Sequence, residues 1–159
     1  MSTPNRNILL AEIARIAVRI ERETRVPAKM LIAQWAVESE WGAEPIGLYN
    51  VFGIKCASRH DICRQVTTHE VVKGKRVKVV QMFADFPSLE AACRDYAWII
   101  SHGAAYRPYW DSFLQTGNVD PLIAGVAKRY ATDPNYACLV TTISKQRNVA
   151  AAIAEARRG

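Results

Sequence analysis

One carboxylate, Glu38, follows a run of residues that is apolar almost without a break, from Met30 to Val37. Such a run predicts a helix that is buried on nearly all sides, with Pro27 in its first turn and Gly42 just past its end. A carboxyl group at the C-terminal end of a buried helix faces the negative end of the helix dipole and loses hydration, and both effects raise its pKa. A carboxyl group that keeps its proton near neutral pH can serve as a general acid. The alternative interpretation is a glutamate that points into solvent from the last helical turn.

A second group of reactive side chains lies further along the chain and consists of Cys56, His60, Cys63 and His69. Their spacing matches no common zinc pattern, so no metal and no cofactor is expected. A disulfide between Cys56 and Cys63 is the leading interpretation, with two free thiols as the alternative. The remaining cysteines lie among apolar residues with helical spacing and are expected to be core residues; they are Cys93 and Cys138.

Composition sets the class of protein. The 159 residues are half hydrophobic and under a quarter charged, which is typical of one globular domain spanning residues 1–159. The net charge of +6 predicts attraction to polyanions such as nucleic acid, anionic membranes or an anionic cell wall. No apolar segment has transmembrane length, and the first residues lack a signal-peptide pattern, so neither membrane insertion nor export by the usual route is expected. The basic residues concentrate in one segment, where a solvated hairpin is the simplest interpretation; they are Lys73, Lys75, Arg76 and Lys78.

The apolar periodicity predicts a mainly helical chain in which about five helices surround the buried one. These helices are expected at 8–23, 88–101, 108–114, 121–130 and 134–157, with N-caps at Ser88, Asp120 and Asp133. Two β-branched runs predict a hairpin, which is preceded by a polar loop; the strands are at 65–72 and 76–83, and the loop is at 56–64. Glu70 then lies near the middle of the first strand, on the same face as Thr68.

Four motifs occur in order along the chain, and these are Ala36-Val-Glu-Ser-Glu-Trp-Gly42, Tyr49-Asn-Val-Phe-Gly-Ile-Lys55, Thr68-His-Glu70 and Tyr130-Ala-Thr-Asp-Pro-Asn-Tyr-Ala137. Together they resemble glycoside hydrolase family 73, the β-N-acetylglucosaminidases that cut peptidoglycan, over nearly the whole chain. The resemblance implies a mainly α, lysozyme-like helical domain with a small β-hairpin lobe, near residues 56–84, flanking a cleft. It also implies cleavage of the β-1,4 bond from N-acetylglucosamine to N-acetylmuramic acid.

The same resemblance implies roles for single residues. Glu38 matches the general acid, and Glu70 matches the carboxylate of the β-lobe that is proposed as a base or water activator. Tyr130 matches a tyrosine at the cleft, and Tyr136 is a second aromatic residue of that motif. The turn that lines the cleft floor, and so binds substrate, is matched by Asn50 and Phe52.

The sequence departs from the family pattern at three places. Glu40 stands where the family usually has a small or neutral residue, but two positions along a helix are a turn of about 200°, so Glu38 and Glu40 cannot share a face. Val71 follows Glu70 where an aromatic residue is common, which weakens the assignment of Glu70. The insert from Cys56 to Cys63 looks peculiar to this chain.

Two mechanisms stay open at this point. Glu70 activates water in an inverting reaction if the hairpin closes over the cleft. Otherwise the 2-acetamido group of the substrate is the nucleophile, and Tyr130 positions it. The alternative functions are a muramidase or lytic transglycosylase on the same fold, and a non-catalytic binder of anionic polymers that uses the basic hairpin.

The expected partner is the glycan strand of peptidoglycan, and a nucleic-acid partner is not expected. A wall hydrolase made in the cytoplasm without a signal peptide fits an antibacterial effector injected into the periplasm of a target cell, or a phage endolysin. The effector hypothesis predicts a small acidic periplasmic immunity protein that plugs the cleft.

Overall fold

The computed structural model describes residues 5–159, so residues 1–4 of the predicted domain lie outside the described residues. Residues 5–159 form seven α-helices and one antiparallel pair of strands: α1 (Arg6–Thr24), α2 (Ala28–Ser39), β1 (Ile62–Val72), β2 (Lys75–Asp85), α3 (Leu89–His102), α4 (Arg107–Thr116), α5 (Val119–Tyr130), α6 (Pro134–Ser144) and α7 (Arg147–Arg158). A 3₁₀ turn at Ala104–Tyr106 precedes α4. The predicted mainly α fold with one hairpin is confirmed. No helix in this described part of the chain is long and apolar enough to cross a bilayer.

Helix α2 is the centre of the core, as its apolar sequence predicts. Helices α1, α3, α6 and α7 contact it, and every residue from Met30 to Ala36 is buried. Within that stretch one side chain is polar, that of Gln34, which is fully buried. A buried amide needs hydrogen-bond partners, and those of Gln34 lie in the candidate site described below.

The end of α2 differs from the prediction. The helix stops at Ser39, and Glu40, Trp41 and Gly42 all have positive φ values of 50°, 58° and 87°. The Ser39 hydroxyl donates to a carbonyl oxygen one turn earlier at 2.6 Å and accepts from the Gly42 N–H at 2.9 Å. These bonds satisfy the helix terminus where the chain turns away. The turn leaves Glu40 exposed and Glu38 half-buried.

The helix predicted at 134–157 is two helices, α6 and α7, and this corrects the sequence analysis. The Ser144 hydroxyl donates to the Thr141 carbonyl oxygen at 2.7 Å, and the Lys145 N–H bonds back to the Thr142 carbonyl oxygen at 3.2 Å, so the last turn tightens. Helix α6 packs on α2 and α5, whereas α7 packs mainly on α1. The break therefore follows from two different packing partners.

Two smaller expectations were also wrong, and two capping predictions were right. Helix α5 begins at Val119, so Asp120 lies inside its first turn and is not the N-cap. Cys138 is exposed rather than a core residue, whereas Cys93 is buried. Ser88 and Asp133 do cap their helices through side-chain hydrogen bonds of 3.1 and 2.9 Å.

The hairpin strands pair from Ile62 with Asp85 to Val72 with Lys75, so β1 begins inside the segment predicted as a loop. Lys73 and Gly74 form the turn with φ values of 50° and 78°, which is the left-handed geometry of tight hairpins. At the base, the Ala84 N–H donates to the Ile54 carbonyl oxygen at 3.0 Å. The hairpin is thus fixed to the body at one end.

Asp85 ties the base of the hairpin to the preceding loop. Its buried carboxylate accepts hydrogen bonds from the backbone N–H groups of Leu48, Tyr49 and Phe86 at 2.8–2.9 Å, and it pairs with Arg64. Burial alone would raise the pKa of Asp85, but these four donors outweigh it and lower the pKa to about 2. The Asp85 carboxylate is therefore ionised throughout the neutral pH range.

Candidate active site

Glu38 lies in the last turn of α2 with its carboxyl group against Gly53. A methyl group placed on Gly53 would come within 2.9 Å of Glu38 Oε2, and Gly53 has a φ of +65°. Burial raises the pKa of Glu38, and a hydrogen bond from the Tyr136 hydroxyl lowers it in part. The pKa stays above its ordinary value, which suits a group that must deliver a proton near neutral pH.

The hydroxyl of Tyr136 is oriented by a buried network. Gln34 Nε2 donates to the Tyr136 oxygen at 3.1 Å, and the Tyr96 hydroxyl donates to Gln34 Oε1. Because the Tyr136 oxygen accepts from Gln34, its own proton is free to point at Glu38. Each group therefore donates a hydrogen bond to the next, in the order Tyr96, Gln34, Tyr136 and Glu38. Burial, followed by the charge of Glu38, raises the pKa of Tyr136, so this hydroxyl donates a hydrogen bond and keeps its proton.

Tyr130, at the end of α5, lies beside Tyr136. Their rings are nearly parallel, with an angle of 4° and centroids 6.2 Å apart, and the ring of Tyr106 lies 6.4 Å away on another side. The Tyr130 hydroxyl donates a 2.6 Å hydrogen bond to the Phe52 carbonyl oxygen. Because that bond uses the one proton of the hydroxyl, Tyr130 can contact a ligand through this oxygen only as an acceptor.

The turn at residues 50–54 forms the floor under these groups, and its side chains are fully used inside the protein. Asn50 is buried, and its amide donates to the carbonyl oxygens of Ile54 and Ala84 at 2.9 and 2.7 Å while its oxygen accepts from backbone N–H groups. The Phe52 ring is buried and stacks on Tyr96 at 4.5 Å. Both residues therefore shape the turn, and direct substrate binding by Asn50, Phe52 or Tyr136 stays a prediction.

Glu70 is separate from this cluster. It is exposed on β1 and accepts a 2.8 Å hydrogen bond from Gln81 Nε2. Its cross-strand partner Val77 is about 20 Å along the strand from Phe83 at the base, at about 3.3 Å per residue. Val66 and Thr68, on the same face of β1, are half-buried, so this face is the one turned towards the protein body. Glu70 thus lies on the same face of β1 as these two half-buried residues, but no hydrogen bond within residues 5–159 joins it to Glu38.

The insert before the hairpin is held covalently and through a histidine. Cys56 and Cys63 are joined by a disulfide with their Cα atoms 5.7 Å apart. His60 Nδ1 accepts from the Ala57 N–H at 2.9 Å, so Nε2 carries the proton and donates to Asp95 Oδ2 at 2.9 Å. Both ring nitrogens are therefore occupied by the protein. In the described residues, no three His, Cys, Asp or Glu side chains form a metal site.

Three residues of this site were not found from the sequence. Gln34 carried a signal, since it is the one polar residue of the apolar run and lies one turn before Glu38. Tyr96 carried none, because 62 positions separate it from the amide it bonds. Gly53 belongs to the motif at 49–55, but its position next to Glu38 depends on how the turn at residues 50–54 packs under α2.

The chain is similar to known proteins over most of its length. Residues 14–149 match the family Glucosaminidase, described as mannosyl-glycoprotein endo-beta-N-acetylglucosaminidase. The chain is 32% identical over 156 residues to the peptidoglycan hydrolase FlgJ of Pseudomonas aeruginosa. This alignment covers 92% of this chain and 38% of that protein. The FlgJ protein of Salmonella typhimurium is also 32% identical, and 45% of it is covered. The chain thus spans less than half the length of these relatives.

Solved structures share the fold over most of the chain. The C-terminally truncated glycoside hydrolase domain of Salmonella typhimurium FlgJ superposes with a TM-score of 0.68 at 27% identity, over 89% of this chain and 97% of that one. The catalytic domain of the autolysin Auto from Listeria monocytogenes superposes with a TM-score of 0.76 at 25% identity, over 96% and 90% of the two chains. The lysozyme-like helical fold expected from the sequence is confirmed.

Proposed function

Since the chain belongs to the glucosaminidase family of glycoside hydrolases, we propose that it hydrolyses peptidoglycan at the β-1,4 bond between N-acetylglucosamine and N-acetylmuramic acid, with Glu38 as the general acid. The observation that carries this proposal is the half-buried Glu38 carboxyl, whose pKa is raised by burial and which receives the Tyr136 hydroxyl beside the ring of Tyr130. The name of the FlgJ relatives, peptidoglycan hydrolase, supports the class of substrate.

Hydrolysis with inversion also requires a group that delivers water to the opposite face of the sugar. We assign this role to Glu70, because it lies on the face of the hairpin that is turned towards the protein body and because a hairpin fixed only at its base can close over a bound strand. Tyr130, whose oxygen is free only as an acceptor, would receive the N–H of the substrate's 2-acetamido group and orient the sugar. In the alternative, that acetamido group attacks, and Glu70 is dispensable.

The test of the acid is a pair of matched variants. Glu38→Gln removes the proton but keeps the shape of the side chain, and it should lower cleavage of purified sacculi at least ~10²-fold. Glu40→Gln, two residues along and exposed, should retain activity. Circular dichroism and melting temperature show that both variants are folded. Turnover close to wild type by Glu38→Gln would remove Glu38 from the mechanism.

The bond that is cut decides between a glucosaminidase and a muramidase or lytic transglycosylase. Borohydride reduction of the products followed by mass spectrometry identifies the new reducing end. We expect reduced N-acetylglucosamine. Reduced muramic acid, or an anhydro product, would instead place the enzyme with the alternative activities. If no bond is cut and purified sacculi are still bound, the domain is a binder of anionic polymers.

For the biological setting, we propose an antibacterial effector that acts on the wall in the periplasm of a target cell and is neutralised there by a small acidic immunity protein. The net charge of +6 supports an acidic partner, since complementary charge raises the association rate at low salt. Purified periplasmic proteins captured on the domain provide the test, with Tyr106→Trp added to narrow the cleft. Unchanged binding would exclude a cleft plug. Neighbouring genes for a holin and phage structural proteins would favour the endolysin.

A further inference from the structure

A groove of about 380 Å³ opens beside the candidate active site. Gly53 and Tyr130 form one wall, and Lys55, Arg59 and Tyr106 line the rest together with apolar side chains. Gly53 also faces the Glu38 carboxyl, since a Cβ placed on Gly53 would meet Glu38 Oε2, so the groove begins next to the proposed acid. Among the described residues that line it, two are cationic and none is acidic. A ligand that passes the proposed acid therefore meets two cationic side chains.

Arg59 is held in place before any ligand arrives. Its Nε and Nη2 donate to the two carboxylate oxygens of Asp95 at 3.2 and 3.0 Å, and its guanidinium carbon lies 4.5 Å from the centroid of the Trp98 ring. Within residues 5–159, no hydrogen bond is made by its remaining nitrogen, Nη1. A guanidinium that is already ordered loses little side-chain entropy when it binds an anion.

Lys55 complements this fixed cation with a free one. Its backbone bridges to Phe83 at the base of the hairpin, so the position of its Cα atom is fixed. Its side chain is exposed, and the part of the chain that the structure describes offers it no ion pair. An unpaired ammonium beside an anchored guanidinium suits a ligand with a carboxylate. The charge of Arg129, which partly offsets the effect of burial on the pKa of Tyr106, adds to the positive field here.

We propose that this groove is a carboxylate subsite, in which Lys55 and Arg59 bind a carboxylate that the glycan strand carries next to the bond that is cut. The proposal rests on the proposed function and deepens it, because it assigns a substrate preference to residues outside the acid. Peptidoglycan offers two sources of this group, the lactyl side chain of a muramic acid that bears no stem and the carboxylates of the peptide stem. The walls of Tyr106 and Tyr130 would contact the sugar that bears it.

The proposal also gives the insert a role in binding. Arg59 lies between Cys56 and Cys63, and the neighbouring His60 bonds the same Asp95 that holds Arg59. The disulfide, the His60 imidazole and the Asp95 carboxylate together fix residues 56–63 against α3. The segment thus holds the Arg59 guanidinium at the groove, where replacing Arg59 tests its contribution to binding.

The experiment compares three soluble glycan strands of equal length. The first has peptide stems, the second has been freed of stems and keeps its lactyl carboxylates, and the third is the second after amidation of those carboxylates. Wild type should cleave at least one of the two charged strands with a kcat/KM about 10-fold above that of the amidated strand, the size expected for a charged hydrogen bond. A stem is joined to the sugar through the lactyl carboxyl, which is then an amide. A gain in the second strand therefore identifies the lactyl group, and a gain in the first identifies a carboxylate of the stem.

Variants assign the preference to the groove. Lys55→Met should remove most of the gain on charged strands while changing cleavage of the amidated strand less than about 2-fold. Arg59→Met should do the same, and Lys55→Met, whose side chain is exposed, serves as the test if Arg59→Met does not fold. Arg15→Met removes the same charge from the surface between α1 and α7 and should keep the full preference.

Two results separate the failure of the subsite from the failure of the function. If wild type cleaves all three strands at equal rates, or if Lys55→Met behaves like Arg15→Met, the carboxylate subsite is wrong and the hydrolase assignment stands. If wild type cleaves none of the strands, the proposed function is wrong, and the subsite is wrong with it.

Discussion

The side-chain amide of Gln34 and the hydroxyl of Tyr136 are joined by a 3.1 Å hydrogen bond, although 102 positions separate the two residues in the chain. The bond links α2 to α6 in the core. It fixes the tyrosine oxygen as an acceptor, and that leaves the tyrosine proton for Glu38. We therefore expect buried Gln34 to influence the pKa of Glu38 through Tyr136.

The first prediction concerns this influence on pH dependence. The Tyr136 hydrogen bond lowers the pKa of Glu38 against the effect of burial, so Tyr136→Phe should raise that pKa further. A general acid is lost as pH rises through its pKa. The basic limb of the kcat/KM profile should therefore move to higher pH. Tyr49→Phe, at an exposed position, should leave the profile in place.

Gln34→Leu should also move the basic limb of the kcat/KM profile to higher pH. Without the Gln34 amide, no hydrogen bond to the Tyr136 oxygen directs the Tyr136 proton towards Glu38. It should also lower the free energy of unfolding by about 1–3 kcal/mol, because the buried Tyr96 hydroxyl loses its acceptor. A fall in stability with an unchanged pH profile would restrict Gln34 to a structural role. Urea unfolding and the pH–rate profile measure the two effects separately.

The second prediction uses two glycines with similar backbones. Gly53→Ala and Gly74→Ala both place a Cβ on a residue with positive φ, +65° and +78°, and both should lose about 1–2 kcal/mol of stability. The new methyl group at Gly53 would lie 2.9 Å from Glu38 Oε2, whereas the one at Gly74 has no atom within 4 Å. Only Gly53→Ala should therefore lose activity, by about 10-fold or more. Equal activity of the two variants would contradict the contact.

The third prediction tests the role of Glu70. If it activates water, Glu70→Gln should lower kcat by about 10²-fold with little change in melting temperature, because the side chain is exposed. Nuclear magnetic resonance of the fresh product should show an inverted anomeric configuration. Retained configuration and an active Glu70→Gln enzyme would show that the acetamido group is the nucleophile. Glu44→Gln, another exposed glutamate, is the control.

The fourth prediction concerns stability at low pH. The pKa of Asp85 is about 2 in the folded protein and about 3.9 in an unfolded chain, so its ionisation stabilises the fold by about 2–3 kcal/mol above pH 4. Because the folded pKa is the lower one, this contribution is lost as pH falls from about 4 towards 2. Asp85→Asn should lower stability at pH 7, and the difference from wild type should shrink in that acidic window. Urea titrations at pH 7 and pH 3 measure it.

The fifth prediction is that Cys56 and Cys63 are bridged in protein purified in air. Mass spectrometry without reduction should find the linked peptide pair about two daltons lighter than the sum of its thiol forms. Closing a short loop of this kind stabilises by about 2 kcal/mol, so Cys56→Ser should lower the melting temperature. Cys138→Ser, at an exposed free thiol, should not. Two alkylatable thiols at positions 56 and 63, or bound zinc, would refute the bridge.

Features that depend on neighbours in the chain follow from the amino-acid sequence alone. The apolar run ending at Glu38 specified the buried helix, because burial follows from side chains a few positions apart. Lys73-Gly74 between β-branched runs specified the hairpin, and Ser88 and Asp133 specified two helix starts, because these signals act within about four residues.

The tertiary structure alone decided the features that join distant segments. The alignment of Tyr96, Gln34 and Tyr136 requires α3, α2 and α6 to meet, and no local pattern encodes that meeting. The same is true of the Tyr130 hydroxyl on the Phe52 carbonyl oxygen, which lies 78 positions away. Long-range packing also split the predicted last helix into α6 and α7, since each half has its own partner. Interactions within a few residues thus place the proposed acid at the end of its helix, and the contacts between helices determine what surrounds it.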